Sequence, residues 1–475
     1  MIKIIYRSFI SLIILLLILV VYLSTIGFKT DKFNSKIISQ IQQINSNIKI
    51  KLNDLKVKLD PFNFRINAKT IGTDLIYGNK KLKIETIKSN ISIKSFLDNK
   101  LSLAEISIST KPLEIKDLIT FVRLFHNNSK LFIAEQLIKK GYIIADLKLE
   151  FDQTGKINKN YKLNGLVKNG KISLLKKYDL NKIDFLFVID EKALKFSNIK
   201  ISQNDNNILI PELIAVKQKN EYLISGKLIS KNTSLTKNEI FNFINDDFRE
   251  LDIQEISFSS KNDFKFKINK NFKINGLDIN SDIDLENFKF KNVLKLKDIF
   301  PKINEFFIFK NQKLRLEYKK GDLKISGKGD VLFQNKIDKI VYEIHQKDKE
   351  VKFDTKLKIT NNAFQINLLD FKKDEKSELD LNFIGKKDIK GKLVFSEIYF
   401  KEKNNVFSIK NLILSNNNKI DEIGNININY DDKKNFKNDL KLIKQSNNYL
   451  VSGNSFNINK IIDDLLDTEN NKKIR

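Results

Sequence analysis

The chain of 475 residues contains no cysteine, no tryptophan, two histidines and four prolines. The absence of cysteine excludes a disulfide framework, so the stability of the folded protein has to come from burial alone. His126 and His345 do not stand in metal-ligand spacing to each other or to any cysteine, which excludes the common zinc motifs. With four prolines and no low-complexity linker, the sequence marks no clean boundary between independent domains.

Arginine is also scarce, at six of the 85 basic residues, although the formal net charge is +27. A nucleic-acid groove needs clustered Lys and Arg with guanidinium forks and stacking aromatic side chains. Here the lysines are spread along the whole chain and alternate with apolar residues, and Lys, Asn, Ile and Phe are the residues that AT-rich codons specify. We therefore expect no nucleic-acid partner. The lysines are interpreted as a solvated face, whose diffuse positive field favours anionic lipid surfaces.

Charged residues are missing from one long stretch, residues 8–28, with the sequence SFISLIILLLILVVYLSTIGF. A helix of this length reaches about 30 Å, the thickness of the hydrocarbon core of a bilayer. The alternative is a cleaved signal peptide, but the run is longer than a usual h-region and no clear A-x-A site follows it. We therefore predict a single-pass transmembrane anchor. Lys3, Arg7 and the α-amino group favour a cytoplasmic N-terminus, which we predict, although Lys29, Lys32 and Lys36 on the other flank weaken the charge difference. Residues of this anchor include Phe9, Leu15, Leu19 and Tyr22.

Beyond the anchor, apolar residues alternate with polar ones over most of the chain. Examples are Leu147 and Leu149 with Phe151, and Phe185 with Phe187. Strict alternation predicts strands with one apolar and one wet face. Turn signals lie between the runs, among them Asn164-Gly165, Asn169-Gly170 and Lys320-Gly321-Asp322. Short connections of this kind favour an antiparallel, mainly β protein.

A few helices are predicted between the strands. A short helix follows the anchor, and Ile115 to Phe125 and Leu131 to Ile138 each place apolar residues on one face, the second ending at Gly141. Thr236 and Glu239 form a capping box at the start of another helix. Residues 294–307 are ambiguous because Pro301 interrupts them, and residues 460–467 form a last helix before a charged tail.

The apolar face of so many strands cannot remain in water, because exposed apolar patches above a few hundred Å² are rare in soluble monomers. The sheet can fold into a sandwich or close as a barrel. It can also curl lengthwise into a trough that holds another apolar molecule. The alternation alone does not choose among these three.

The sequence offers no catalytic motif. It contains neither a G-x-S-x-G elbow nor a P-loop. Gly327-Lys-Gly329 lies between strand patterns and is better interpreted as a turn or bulge than as a phosphate cradle. Asp282 and Asp284 alternate with apolar residues, which places them on a wet face. We therefore expect a protein that is not an enzyme, with no metal and no cofactor.

The N-terminal third resembles a known superfamily. After the anchor and a short helical stretch come IKIKLNDLKVKLDPFNFRINAKTI, with its Asp60-Pro61-Phe62 step, and LKIETIKSNISIKSFLDNKLSLAEISIS. From the anchor through Ile108 this arrangement resembles the N-terminal part of the AsmA-like superfamily, and residues 129–151 look more like its YhdP-like branch. After residue 150 the resemblance is only compositional. The chain is shorter than the long members of the superfamily, so it is a short member, one piece of a split protein, or a fragment.

The resemblance implies an inner-membrane anchor and a periplasmic domain whose long, curled antiparallel β-sheet groove carries phospholipid acyl chains toward the outer membrane. It divides the chain into an anchor (residues 1–31), an AsmA-like N-terminal region (32–125) and an elongated β-groove region (126–475). A periplasmic or outer-membrane partner is expected at the C-terminal end. The alternative function is a scaffold for outer-membrane proteins or lipopolysaccharide that acts by strand pairing. The residues predicted to line the groove are Leu147, Leu149, Phe151, Phe185, Phe187, Phe264, Phe266, Ile268, Phe364 and Ile366.

Overall fold

The fold is described from a computed structural model. It covers residues 2–31, 34–35, 38, 46–77, 80–93, 103–125, 135–150, 161–174, 178–203, 206–219, 221–243, 252–269, 271, 273–292, 296–374, 376–415, 419–446, 448–463 and 466. The predicted groove residue Phe151, His126 and most of the helix expected after the anchor lie outside these residues.

The chain begins with helix α1 (Ile2–Thr25), which is apolar enough to cross a membrane. Over Lys3–Thr25 its mean hydropathy is 2.8 and none of it is buried against the protein. Phe9, Leu15, Leu19 and Tyr22 are all exposed on it. The helix ends before the uncharged run does, because Gly27 has φ +71° and the next residue begins the first strand. A Cβ at Gly27 would lie 2.2 Å from the carbonyl oxygen of Val57, so only glycine fits there. These features are consistent with a single-pass membrane anchor.

The remaining elements are mostly strands. Helices in the part of the chain that the structure describes include α2 (Ile115–Phe125) and α3 (Lys237–Phe243), with a 3-10 turn at Asn367–Leu369. The strands are β1 (Phe28–Thr30), β2 (Ile48–Lys51), β3 (Leu55–Asp60), β4 (Arg65–Ile71), β5 (Asp74–Tyr77), β6 (Lys80–Ser92), β7 (Leu103–Thr110), β8 (Leu113–Glu114), β9 (Ile138–Glu150), β10 (Lys162–Leu174), β11 (Tyr178–Asp190), β12 (Ala193–Gln203), β13 (Asn206–Gln218), β14 (Glu221–Thr236), β15 (Ile253–Asn269), β16 (Ile274–Lys291), β17 (Phe306–Lys319), β18 (Asp322–Leu332), β19 (Asp338–Lys347), β20 (Glu350–Ile359), β21 (Gln365–Ile366), β22 (Phe371–Lys372), β23 (Leu379–Lys387), β24 (Leu393–Glu402), β25 (Asn405–Leu414), β26 (Ile420–Asp431), β27 (Lys437–Gln445) and β28 (Asn448–Ser455).

The protein is mainly β, with one long antiparallel sheet, as the alternation predicts. Most strands pair with their neighbours in the chain through short hairpins. Strong curling of the sheet, expected for a trough, is not confirmed, since no sheet is strongly curled. By its internal contacts the chain divides into two compact units, Met1–Gly226 and Lys227–Arg475, and the division lies inside β14. The sequence has no linker composition at residues 226–227, because a continuous strand spans the division.

In unit 1 (Met1–Gly226) the ladder runs from β3 through β4, β6, β7, β9, β10, β11 and β12 to β13. The short strands β1, β2, β5 and β8 add to it near the anchor side of the sequence. Helix α2 packs on β9 through Ile115 and Leu118, which contact two small apolar clusters of the sheet.

In unit 2 (Lys227–Arg475) the strands β15 to β20 and β23 to β28 pair in chain order. The segment between β20 and β23 leaves the ladder and folds into the small hairpin of β21 and β22. We call residues 360–374 and 376–378 the strap. The largest buried cluster of the unit forms where the strap meets the sheet.

Two of the predicted helix signals are confirmed. Helix α2 begins at Ile115, and α3 follows the capping box, in which the backbone N–H and the hydroxyl of Thr236 both donate to Glu239 Oε2 at 2.9 Å. Residues 459–463 are helical near the end of the chain. Residues 297–302 form turns and no helix, and Phe300 among them is buried.

Three predicted breaks are wrong. Gly141 does not end a helix, because β9 already begins at Ile138; its φ is +136° and a Cβ would lie 2.9 Å from both Gly170 Cα and Ile115 Cδ1. Asn164-Gly165 and Asn169-Gly170 are not turns, since both lie inside β10. Asn169 has φ +52° at a register shift, so this signal marks a bulge.

Candidate functional site

Unit 1 presents an apolar face on one side of its sheet. Directly paired residues form a row across eight strands, and the row contains the predicted residue Leu147. Its members are Thr70, Ile87, Ile108, Leu147, Leu163, Ile189, Leu194 and Ala215. Thr70 and Ala215 are buried and the other six are half-buried. Leu149 lies in the next row, where it pairs with Ile106. Lys148 and Asp146, which alternate with these leucines, belong to the opposite face.

Phe185 and Phe187 lie on the same apolar face and pack together. Phe187 is 5% exposed, and Phe185 contacts the ring of Phe196 edge-on, with 5.8 Å between ring centroids. The ring of Phe187 crosses β10 at Gly165, where a Cβ would come within 2.8 Å of Phe187 Cζ. Gly165, which the sequence signal placed in a turn, is therefore needed for the packing of the apolar face.

In unit 2 the predicted residues Phe264, Phe266 and Ile268 follow one another on β15. All three are half-buried, and the rings of Phe264 and Phe266 stack at 6.1 Å. Lys265 between them is exposed on the other face and pairs with Asp278 of β16. This alternation gives one strand an apolar side and a charged side within three residues.

Phe364 and Ile366 lie in the strap, and their surroundings differ from those of the other predicted residues. Phe364 is 3% exposed, and its ring packs edge-on against those of Phe300 and Phe400 at 5.6 and 5.3 Å. Ile366 packs against the same cluster, half-buried. Phe371, 1% exposed, is the most buried phenylalanine of the strap. The strap therefore closes one end of the apolar face with a packed aromatic core.

Polar groups hold the strap on the sheet. The hydroxyl of Tyr430 donates to the carbonyl oxygen of Leu369 at 2.8 Å and so joins β26 to the strap. The buried Lys373 donates within the strap, to the carbonyl oxygens of Thr360 and Asp374 at 2.7 and 2.9 Å. Burial raises the pKa of Asp338, although Asn362 donates to this carboxylate at 2.7 Å and Lys373 lies near it. Burial also raises the pKa of Tyr430, so its phenol remains protonated and keeps donating.

The row of side chains beneath the strap is fully buried. It runs through Ile340, Leu357, Leu381, Phe400, Phe407 and Ile428, each directly paired with the next and each buried. A second row, four residues further along each strand, lies about 13 Å away. It contains Leu316, Ile325, Ile344, Phe353 and Phe395, and these side chains are half-buried and outside the buried cluster. We call the region from this row to the adjoining hairpin turns the open half of the face.

Gly327 and Gly329 have a packing role between these rows. A Cβ at Gly327 would lie 2.5 Å from Tyr342 Cζ, so the glycine leaves room for that ring over β18. Burial raises the pKa of Tyr342 to about 12. Gly329 faces a bulge of β17 at Asn311, which has φ +48°. The G-x-G pattern therefore lies inside a strand next to a bulge.

The charged face of unit 2 carries a concavity of about 710 Å³ that no sequence signal indicated. Most of its lining side chains alternate with those of the open half, so they project from the opposite side of the sheet. Three of its polar side chains have close partners. His345 lies 2.8 Å from Asp322, Arg315 pairs with Glu317 at 3.0 Å, and Lys386 pairs with Glu350 at 2.8 Å.

Comparisons of the chain with known proteins gave no match. No protein-family model matches it, and neither a curated protein nor a solved structure is significantly similar to it.

Proposed function

We propose that this protein is a membrane-anchored lipid-transfer protein whose apolar sheet face shields phospholipid acyl chains from water. The observation that carries the proposal is the half-buried open half of the face in unit 2. It continues the same strands as a packed core and has charged residues on its back. Each CH₂ group removed from water contributes about 0.8 kcal/mol. Several near-equivalent apolar positions in a row allow a tail to move without a single strong site.

The cellular setting belongs to the same proposal. Helix α1 holds the protein in the inner membrane with its N-terminus in the cytoplasm, and the sheet lies in the periplasm as part of outer-membrane biogenesis. The resemblance of residues 1–150 to AsmA-like proteins supports this assignment. No catalytic step is required, because transfer along an apolar face is passive.

The test is capture of lipid by a photoreactive amino acid in cells that express the full-length protein. Probes at Phe266 and Phe353, both half-buried on the apolar face, are expected to form phospholipid adducts. A probe at Lys265, exposed on the charged face of the same strand, is expected to form none. A probe at Phe371 samples the packed core, where a side chain touches only other side chains, and is expected to give only intramolecular adducts.

A loss-of-function variant completes the test. Phe266→Asp places a charge where acyl chains would lie, so lipid capture at Phe353 should fall while the fold is kept. Lys265→Asp introduces the same charge on the opposite face and should leave capture unchanged. Absence of lipid adducts at both Phe266 and Phe353 in a folded protein would overturn the proposal.

A second candidate function is a scaffold that acts by strand pairing, and the edge strand β28 favours it. Among the described strands β28 pairs only with β27, and its Tyr449, Leu450 and Val451 are exposed without any charged residue in the strand. Natural edges usually carry charges that block pairing with other chains. Val451→Lys should abolish co-purification of a client protein if the scaffold function is correct, and leave lipid capture unchanged if the transfer function is correct.

A further inference from the structure

The hairpin turns at the open half of unit 2 carry lysines without ion-pair partners. They lie at the ends of β17, β19, β23 and β25, opposite to the strap. None of these lysines forms an ion pair with another described residue. They are Lys319, Lys320, Lys347, Lys349, Lys387, Lys390 and Lys419. We call this set the rim lysines. All seven are exposed.

Two lysines of the turns at the strap end are paired with the strap. Lys403 pairs with Asp374 at 2.8 Å and Lys433 with Asp370 at 2.9 Å, and both carboxylates belong to the strap. The two ends of the same strands therefore differ in their cover: the strap packs over one end and holds two of its lysines, whereas the rim lysines stand at the open end.

Two rim lysines, Lys320 and Lys349, have φ of 50° and 69° in tight hairpin turns. This left-handed conformation favours Gly, Asn and Asp, and it is disfavoured for a long side chain. Lys403 at the strap end has the same conformation, with φ of 52°, so backbone geometry does not distinguish the two ends.

The distance from strap to rim matches one acyl chain. From Tyr342, which packs against the buried cluster, to Gln346 at the rim is four residues, or about 13 Å along β19. Half the hydrocarbon core of a bilayer is about 15 Å. Lys387 stands in the outermost row of the same face, directly paired with Val351 and Leu393. A tail lying along the strands therefore brings its headgroup to the rim lysines.

We propose that the open half of unit 2 seats lipids in one orientation, with the tail directed to the strap and a headgroup of net negative charge at the rim lysines. This inference rests on the proposed lipid-transfer function and adds to it a substrate class, lipids with an anionic phosphodiester headgroup. Zwitterionic lipids enter the same face, but their headgroup amine offsets the attraction of the lysines.

The test measures headgroup preference in the full-length protein. Purified protein in detergent is offered equal amounts of phosphatidylglycerol and phosphatidylcholine, each with a photoreactive tail, and the adducts are counted by mass spectrometry. The ratio of anionic to zwitterionic adducts is expected to be several-fold above one, since each lysine near a lipid surface contributes at most about a fivefold preference. Raising the salt concentration should lower the ratio. Soluble glycerol phosphate should lower it no more than chloride at equal ionic strength.

Two matched variants locate the effect. The rim variant combines Lys320→Asn, Lys349→Asn, Lys390→Gln and Lys419→Gln, with asparagine at the two left-handed positions. The control combines Lys297→Gln, Lys302→Gln, Lys336→Gln and Lys376→Gln at the strap end, with the same change in net charge. The ratio should fall severalfold towards one in the rim variant, which keeps Lys319, Lys347 and Lys387, and stay unchanged in the control.

Each outcome has a separate meaning. Equal capture of both lipids by the wild type, or equal loss in both variants, overturns the headgroup inference and leaves tail shielding intact. Capture of neither lipid overturns the proposed function itself.

Discussion

The contrast between a packed and an open part of one sheet face can be measured as a difference in stability. Phe371 is 1% exposed, and its ring centroid lies 5.0 Å from that of Phe407, 5.7 Å from Phe400 and 5.9 Å from Tyr430. Phe353 is half-buried on the same unit and contacts one ring, that of Phe395, at 5.7 Å. Phe371→Ala and Phe353→Ala therefore remove the same atoms from two different environments.

The expected magnitudes differ by a factor of two or more. Truncating a fully buried phenylalanine costs about 3–5 kcal/mol, because it removes buried surface and leaves a cavity. A half-exposed ring has less surface to lose and no closed cavity to leave, so Phe353→Ala should cost about 1–1.5 kcal/mol. With a denaturant dependence of about 3 kcal/mol per molar urea, the unfolding midpoint falls by roughly 1–1.7 M for Phe371→Ala and by at most about 0.5 M for Phe353→Ala.

Urea unfolding of the full-length protein in a mild detergent, followed by far-ultraviolet circular dichroism, measures both shifts. Equal large shifts would mean that Phe353 lies in a packed core, and the open half would then be refuted. Equal small shifts would mean that the strap does not pack on the sheet. Phe371→Leu, which keeps most of the apolar volume, is the control and should recover most of the loss.

Three further predictions concern unit 1, acid stability and topology. Gly165→Ala should destabilise unit 1 by about 1–3 kcal/mol in thermal unfolding, because a Cβ would lie 2.1 Å from the carbonyl oxygen of Ile144. The control Gly321→Asn should be nearly neutral, because no atom lies within 4 Å of a Cβ at Gly321. Burial opposes the ionisation of Asp432, but hydrogen bonds from Asn457, Phe436 and Lys434 lower the pKa of this carboxyl below 3.8. The stability that the ionised carboxylate contributes is therefore present above pH 3.8 and is lost as the pH falls through the lowered pKa. The difference in unfolding free energy between wild type and Asp432→Asn should narrow in acid titrations, and a constant difference would contradict this. A cysteine at Asn404, exposed in the hairpin turn between β24 and β25, should react with an impermeant maleimide in intact spheroplasts, and labelling only after lysis would reverse the proposed orientation.

The sequence predicted the parts of the fold that depend on neighbouring residues. Alternation identified the strands because each side chain projects to the opposite face from the next, and an uncharged run of sufficient length identified α1. The capping box at Thr236 was equally local. Asn164-Gly165 and Gly141 were misassigned because a glycine required by contact with another strand looks the same in sequence as a glycine required by a turn.

The strap could not be predicted for a different reason. Phe364, Ile366 and Leu368 alternate like any other strand, yet Phe364 is buried and Leu368 is 53% exposed. What distinguishes them is contact with Phe400, Phe407 and Tyr430, which come from strands up to about sixty residues later in the chain. Burial that depends on such distant partners leaves no local periodic signal.

The two halves of the unit 2 face explain why alternation alone could not choose between a core and a lipid surface. A packed core requires complementary shapes, and the strap end has them, with the rings of Phe400 and Phe407 stacked at 3.9 Å. A surface for flexible tails requires only apolar character, and the open half has Leu316, Ile325 and Ile344 in successive strands, followed by one edge-on ring pair, Phe353 with Phe395 at 5.7 Å. Both demands produce the same pattern in sequence, an apolar residue at every second position. The difference resides in what lies above the face. The strap packs Phe364 against Phe400 and Phe371 against Phe407, which converts one end of the face into a core and leaves the other end open.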